Sequence, residues 1–144
     1  MKEALKEAKK AESKEEVPVG AVVVVDGKIV GRGHNLKEKS LDPTSHAEIV
    51  AIKKAAKRLK NWRLKGATLY VTLEPCIMCV GAMVQARVER LVFATRDPKA
   101  GACGSVYDIP ADNRLNHRIV VEEGILREEG EALLKGFFKR LRTQ

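Results

Sequence analysis

The fold is decided by residues 67–95, which read ATLYVTLEPCIMCVGAMVQARVERLVFAT. Ala67 to Leu73 has the apolar, β-rich composition of a strand. Pro75 then opens a helical pattern that runs from Cys76 to about Val88, and Arg90 to Thr95 is a second strand. This order predicts a strand, helix and strand within one sheet, with the helix covering one of its faces.

The residues before this stretch predict two further strands and two helices. Val19 to Val25 and Lys28 to Gly33 flank Asp26-Gly27, a dipeptide typical of the tight turn in an antiparallel hairpin. After the turn at 42–45, apolar residues recur at helical spacing through about Lys60. The first segment has Ala4, Leu5, Ala8 and Ala11 at helical spacing, which predicts a short amphipathic helix that ends before Pro18.

The residues after 95 predict a long loop, a short strand and a terminal helix. Residues 96–117 are rich in Gly, Pro, Asp and Asn, which indicates a functional loop with one short helical turn. Arg118 to Val121 is the predicted fifth strand. The stripe of the terminal helix consists of Leu126, Leu133, Leu134, Phe137, Phe138 and Leu141. Because the length suits one core and no linker or repeat interrupts it, residues 1–144 are expected to form a single domain.

The composition is that of a basic globular protein. Lys and Arg number 27 against 19 Asp and Glu, giving a net charge of +8. This charge favours an anionic partner, nucleic acid first, although a Lys- and Glu-rich solubilising surface would have the same composition. No apolar stretch approaches the ~20 residues that span a bilayer, and the first residues lack a signal-peptide pattern. A cytoplasmic protein without a membrane partner is therefore expected.

Two short motifs carry the candidate chemistry. His46-Ala47-Glu48 begins one predicted helix, and Cys76-x-x-Cys79 begins another. Side chains in the first turn of a helix tilt toward its start, so His46 and Glu48 can converge on a point beyond the helix end. The unpaired N–H groups at helix starts lower cysteine pKa values. One imidazole and two thiolates suit a catalytic Zn²⁺ with its fourth position open, and Glu48 is then the proton carrier.

Other interpretations of these motifs are possible. A Cys-x-x-Cys pair alone also occurs in redox sites and in half of a structural zinc site. A structural site needs a fourth ligand, and Cys103, His34 and His117 all lack paired metal-ligand spacing. A redox site would have no use for His46 and Glu48. The remaining Cys103 is interpreted as a small, unreactive side chain in its loop.

The combination His-Ala-Glu with Pro-Cys-x-x-Cys resembles the cytidine deaminase superfamily. Beyond this signature the chain resembles the bacterial tRNA-specific adenosine deaminases over nearly its whole length. The matching segments are 17–21, 34–35, 42–48, 69–76, 96–101 and 115–118, continuing to Phe137-Phe138. The Lys- and Glu-rich surface is also typical of a thermophilic, consensus or engineered member of that family.

The resemblance implies a three-layer α-β-α deaminase fold, with a mixed five-stranded sheet flanked by helices. It implies one Zn²⁺ per chain on His46, Cys76 and Cys79, with Glu48 as the catalytic residue. The implied reaction is hydrolytic deamination of adenosine to inosine at the wobble position of an arginine tRNA anticodon. A homodimer that binds the anticodon stem-loop is implied as well.

Several residues are expected to contact the substrate. The resemblance assigns Asn35 to the purine, while the Ala47 backbone N–H is a further donor candidate. Asp97 is expected either to bind a ribose 2′-OH or only to stabilise its own turn before Pro98. On the terminal helix the candidates for RNA contact are Phe138, Lys139, Arg140 and Arg142, with Phe137 assigned to the core.

Three alternative functions stay open at this stage. A deaminase of a free nucleoside or base, of the guanine or cytosine type, would use the same zinc site without needing the basic charge. A variant acting on adenine in single-stranded DNA would differ only in how it treats the sugar. A non-catalytic RNA-binding module with a structural zinc would not need Glu48.

Overall fold

The computed structural model describes residues 1–143 and contains five helices and five strands in this range. The helices are α1 Lys2–Ser13, α2 Lys37–Ser40, α3 Ala47–Leu59, α4 Ile77–Gln85 and α5 Arg127–Arg142. The strands are β1 Gly20–Val25, β2 Lys28–His34, β3 Thr68–Leu73, β4 Arg90–Thr95 and β5 Val120–Glu123. No helix within residues 1–143 is long and apolar enough to cross a membrane.

The five strands form one mixed sheet in the order β2-β1-β3-β4-β5. β1 pairs antiparallel with β2 and β3, whereas β3, β4 and β5 run parallel. The β1–β2 connection is the predicted Asp26-Gly27 turn, in which both residues have positive φ. The mixed five-stranded sheet with flanking helices confirms the expected fold class.

The observed elements differ from the predicted ones mainly at their ends. The helix α4 stops at Gln85 rather than near Val88, and β5 starts at Val120 rather than Arg118. The short helix α2 was not predicted. No helix forms between 96 and 117, but the Gly101 N–H donates to the Asp97 carbonyl oxygen at 2.9 Å and so closes a single helical turn. Two isolated bridges, Cys76 with Gly101 and Cys103 with Asp108, also hold the loop. The prediction of one short helical turn in this loop is therefore confirmed.

Glycine residues let the helix α3 lie directly on the hairpin. A Cβ atom at Gly33 would be 2.5 Å from the carbonyl oxygen of Ala47, and one at Gly31 would be 2.3 Å from that of Ala51. Gly20 meets the backbone of α1 in the same way. Since no side chain fits in these gaps, the start of α3 is held close to the end of β2. This contact fixes where His46 and Glu48 lie.

The core lies between the sheet and its helices. It is built from small and branched side chains rather than aromatic ones, and Phe93 is its largest fully buried residue. β3 leads into α4 through Glu74-Pro75-Cys76, so the carboxyl end of a buried central strand carries one of the candidate ligands.

Candidate metal and catalytic site

The three predicted metal ligands meet where two helices begin. His46 is the N-cap of α3 and Cys76 is the N-cap of α4, both with extended backbone, and Cys79 lies buried in the first turn of α4. The Nδ1 atom of His46 is 3.6 Å from the Sγ atom of each cysteine. All three ligand atoms lie within 4.8 Å of one another.

The spacing of these atoms fits a zinc ion. A tetrahedral Zn²⁺ with Zn–S near 2.3 Å and Zn–N near 2.05 Å places its sulfur and nitrogen ligands about 3.6 Å apart. The same separation joins His46 to both cysteines. Within residues 1–143 this group of metal-ligating side chains has three members. A three-residue set leaves one coordination position for a water or a substrate, as catalytic zinc sites do.

The cysteine pair holds negative charge before any metal binds. The S–H of Cys79 and the imidazole of His46 both stabilise a thiolate on Cys76, which lowers the pKa of Cys76 to about 3. The same hydrogen bond, together with burial, raises the pKa of Cys79. Contact with Cys76 raises the pKa of His46. One thiolate is thus ready to bind a cation at neutral pH.

Glu48 lies beside these ligands but outside the group. It is in the first turn of α3 and is 4% exposed. Burial removes the carboxyl group from water and raises the pKa of Glu48 to about 7. A carboxyl group with that pKa can both accept and donate a proton near neutrality, which is what a general acid and base requires.

A cavity of about 220 Å³ joins the site to the other candidate substrate residues. It is lined by Asn35, Ala47, Glu48 and Asp97, as well as by His46 and Cys76. Its volume is below the roughly 300–1,000 Å³ of pockets for drug-sized ligands, so it suits a single small ring system. The structure therefore brings the predicted metal ligands, the acid and base, and three of the predicted substrate contacts to one place.

The side chains of Asn35 and Asp97 also accept hydrogen bonds from nearby backbone N–H groups. The Oδ1 atom of Asn35 accepts a hydrogen bond from the Lys37 N–H at 3.1 Å. Asp97 Oδ1 accepts from the N–H groups of Lys99 at 3.0 Å and Ala100 at 3.3 Å, which is the turn-stabilising role considered for it. Both residues nonetheless line the cavity.

Glu74 is a site residue that the sequence analysis missed. Its carboxylate is 2% exposed and accepts hydrogen bonds from the N–H groups of Asp97, Cys103 and Ser105 and from the Ser105 hydroxyl. Burial alone would raise the pKa of Glu74, but these bonds outweigh burial and lower it. Glu74 ties the loop after β4 to the strand that leads into α4. The available signal was a carboxylate at the end of a buried strand, just before Pro75.

Glu16 is a second buried carboxylate that was missed. It is 1% exposed, and its two oxygens accept the N–H groups of Glu38 and Lys39 at the start of α2. These bonds hold the segment before α3 against the end of α1. The neighbouring Lys37 lines the cavity, so Glu16 fixes part of the cavity rim.

The other His and Cys residues have structural partners. His34 is buried between Glu7 and Lys14, with both ring nitrogens 3.0 Å from a partner atom. His117 Nε2 lies 2.6 Å from the carbonyl oxygen of Val88. Cys103 is buried, and burial raises the pKa of its thiol to about 12, so it is unreactive as interpreted.

The candidate residues of the terminal helix differ in their burial and in their partners. Phe137 is buried, as predicted, while Phe138 is 41% exposed and lies with Arg142 in a groove beside Lys99. Lys139 is exposed. The guanidinium of Arg140, which was predicted to contact RNA, is bound to Glu12 of α1 at 2.7 Å. This exposed ion pair competes with contact to an outside anion, so Arg140 is a weaker candidate for RNA contact than its neighbours.

Comparison with known proteins places this site in a family. A model of the MafB19-like deaminases matches residues 1–142. The tRNA-specific adenosine deaminase of Bacillus subtilis is 53% identical over 144 residues, covering 100% of this chain and 89% of that protein. The enzyme of the same description from Aquifex aeolicus is 50% identical over 143 residues, covering 99% and 94%.

Solved structures of deaminases also match this chain. A structure from a study of A-to-I editing by tRNA:A34 deaminases at the wobble position of transfer RNA matches with a TM-score of 0.90 and 42% identity, covering 93% of this chain and 97% of the other. A guanine deaminase from Nitrosomonas europaea matches with a TM-score of 0.76 and 25% identity, covering 93% and 80%.

Proposed function

Because this chain belongs to the MafB19-like deaminase family, we propose that it is a zinc-dependent hydrolase that converts adenosine to inosine at the wobble position of a tRNA anticodon. The observation that carries the proposal is the meeting of His46, Cys76, Cys79 and Glu48 at one small cavity, in a chain about half identical to tRNA-specific adenosine deaminases along its length. An arginine tRNA is the proposed substrate.

The proposed cofactor is one Zn²⁺ per chain, held by His46, Cys76 and Cys79. When bound, zinc supplies an acidified water for hydrolysis. Glu48 accepts a proton from the attacking water and passes it to N1 of adenine as C6 is attacked. It then takes the remaining proton from the C6 hydroxyl and delivers it to the departing amine, which leaves C6 as a carbonyl. Water and adenosine thereby give inosine and ammonia. A positioned group of this kind contributes ~10²–10⁴-fold to the rate.

The cavity also supplies the contacts that orient the base. Asn35 presents a side-chain amide, which can both donate to and accept from a purine edge. Ala47 is the first residue of α3, where backbone N–H groups have no partner within the helix and are free to donate. Asp97 is proposed to bind the ribose 2′-OH of the substrate through its oxygen atoms.

Access to the base requires an unpaired loop. The C6 and N1 atoms of adenine are shielded inside a stacked duplex, so the adenosine must be turned out into the cavity. Phe138, Lys139 and Arg142 of α5 are proposed to contact the displaced loop, because the groove at Phe138 and Arg142 borders Lys99 of the loop that carries Asp97. Arg140 contributes mainly to packing α5 against α1.

We further propose a homodimer located in the cytoplasm, formed from chains that each consist of one domain over residues 1–144. Ile77, Val106 and Tyr107 are at least half exposed. The backbone of Cys76 pairs with that of Gly101, and the carbonyl oxygen of Gly101 accepts the N–H groups of Val106 and Tyr107, so we infer that the three side chains form one patch. An exposed apolar patch of this kind favours contact with a second copy, and light scattering on Ile77→Asp would test that role.

The decisive experiment compares substrates. The protein is incubated with an arginine tRNA anticodon stem-loop, a DNA copy of that loop, free adenosine, free guanine and free cytidine, and inosine or the other deaminated products are quantified. Inosine at the wobble position of the RNA is expected, and Glu48→Gln should abolish it while keeping zinc content. Deamination of free guanine without inosine in the RNA would refute the proposal and favour the guanine deaminase alternative.

A further inference from the structure

The positive charge of the chain is concentrated in one segment. Residues 49–73 contain seven Lys or Arg and no Asp or Glu, whereas the rest of the chain contains 20 basic and 19 acidic residues. Residues 49–73, which cover α3 after Glu48 and the turns that follow it, therefore account for seven of the eight net positive charges. The terminal helix, by contrast, carries Glu128, Glu129 and Glu131 beside its basic residues.

These charges form no ion pairs within the part of the chain that the structure describes. Among the ion pairs of residues 1–143, none involves Lys53, Lys54 or Lys57 of α3 or Arg63 of the turn. The three lysines are exposed. Hydrogen bonds from Thr44 lower the pKa of Asp42, and the charge of Lys53 lowers it further, but Asp42 and Lys53 form no salt bridge. Most of the field of these cations is thus available to an outside partner.

The lysines surround a groove with an apolar floor. The groove is lined by Val50, Lys53, Lys54, Ala56, Lys57 and Trp62. The Trp62 side chain is 60% exposed, and the guanidinium of Arg63 lies 4.9 Å from its ring centre. We call these six residues together with Arg63 the α3 groove. It combines apolar surface with several cations, the pattern that a sugar–phosphate backbone complements with its ribose and phosphate groups.

The α3 groove lies on the same helix as the candidate site. Val50, Lys53 and Lys57 follow His46 by 4, 7 and 11 residues, so they extend one stripe of the helix from the metal ligand toward its C-terminus. The 13 residues of α3 span about 20 Å. A nucleic acid whose loop enters the cavity would therefore place its flanking backbone within reach of this stripe.

We propose that the α3 groove binds the phosphate backbone of the stem that flanks the anticodon loop. The inference rests on the proposed function for the identity of the RNA, while the groove and its charge are independent of the chemistry. The stem contact would hold the substrate through its shape and charge, leaving the choice of base to the cavity.

Matched variants test the groove. The triple variant Lys53→Ala, Lys54→Ala, Lys57→Ala is compared with Lys2→Ala, Lys9→Ala, Lys28→Ala, which removes three exposed charges elsewhere. The dissociation constant of an anticodon stem-loop is measured from 50 to 400 mM salt by fluorescence anisotropy. The groove variant should bind at least about tenfold more weakly and have a log–log salt slope shallower by about 2 to 3, while the control changes little. Trp62→Ala should weaken binding without changing the slope, since it removes no charge.

A second measurement separates this proposal from the proposed function. Deamination is followed on the stem-loop and on a short single-stranded loop without a stem. The groove variant should raise KM on the stem-loop by about the factor lost in affinity, and should raise it far less on the short loop. Equal losses in both triple variants, an unchanged salt slope, or a change of oligomeric state in the groove variant would overturn the proposal. Absence of inosine from both RNAs with the unmodified protein, alongside intact salt-dependent binding, would instead refute the proposed function alone.

Discussion

Replacing Glu74 by glutamine tests whether one buried carboxylate positions the substrate loop. In the wild-type protein Oε1 accepts the Asp97 N–H at 3.0 Å and the Ser105 hydroxyl, and Oε2 accepts the N–H groups of Cys103 at 2.9 Å and Ser105 at 3.2 Å. Glutamine keeps the shape but replaces one acceptor oxygen by an NH₂ group, which can only donate. At least one loop N–H must then face another donor.

The magnitude follows from those four bonds. In the best arrangement the amide oxygen takes the place of Oε2, the Ser105 hydroxyl rotates to accept, and only the Asp97 N–H loses its partner. A buried unsatisfied donor costs about 1–3 kcal/mol, and the two retained bonds lose the extra strength that a charged acceptor gives. We expect a loss of about 3 kcal/mol in the free energy of unfolding, or about 10 °C in Tm for a chain of this size.

The assay pairs calorimetry with steady-state kinetics on the anticodon stem-loop. Since Asp97 lines the cavity and the zinc ligands are on other elements, Glu74→Gln should raise KM more than it lowers kcat, with zinc content unchanged. The control Ser105→Ala removes one of the four bonds and should cost about 1 kcal/mol. Wild-type Tm and KM in Glu74→Gln would refute the argument, and a loss of zinc with KM unchanged would show that Glu74 acts on α4 rather than on the loop.

Three further predictions concern the site and its RNA contacts. Cys79→Ala should lose zinc and activity together, and a fully loaded variant by elemental analysis would remove Cys79 from the ligand set. Asp97→Asn should raise the ratio of kcat/KM on a DNA loop to that on the matched RNA loop, because it removes repulsion from phosphates and weakens the 2′-OH contact; an unchanged ratio would leave Asp97 as a turn residue only. The double variant Lys139→Ala, Arg142→Ala should make the slope of log affinity against log salt concentration shallower by about 1 to 2, more than Arg140→Ala does. Equal effects would show that the pairing with Glu12 does not set the role of Arg140.

The elements that could be predicted from sequence are those governed by local rules. The Asp26-Gly27 turn needs positive φ at both residues, and this sequence accommodates it at little cost. The helices α3 and α4 follow from apolar periodicity after a turn or a proline. His46 and Cys76 are N-caps and Cys79 lies in the first turn of α4, so local helix rules place each ligand at a helix start. The packing of α3 on the hairpin then brings the two helix starts together.

What escaped prediction depends on partners far away in the chain. Glu16 and Glu74 are charged residues whose burial is compensated by backbone N–H groups 22 to 31 residues away. Nothing in their sequence neighbourhood marks those partners. Arg140 looked like a free cation on a basic helix, but its partner Glu12 is 128 residues distant. The short α2 has only four residues, and its start is held by Glu16 rather than by its own periodicity.

The contact of α3 with the hairpin has a consequence for how mutational data on this family are read. Gly31 and Gly33 take no part in the chemistry, yet any added side chain would meet the helix backbone. Selection would therefore keep these glycines as strictly as it keeps His46 or Glu48. A ranking of positions by their tolerance to substitution would place the structural glycines together with the residues that carry the chemistry. A screen that measures protein abundance separately from editing activity would distinguish the two groups. Substitutions of the glycines should lower the abundance of the protein, whereas substitutions at Glu48 should leave the protein abundant but inactive.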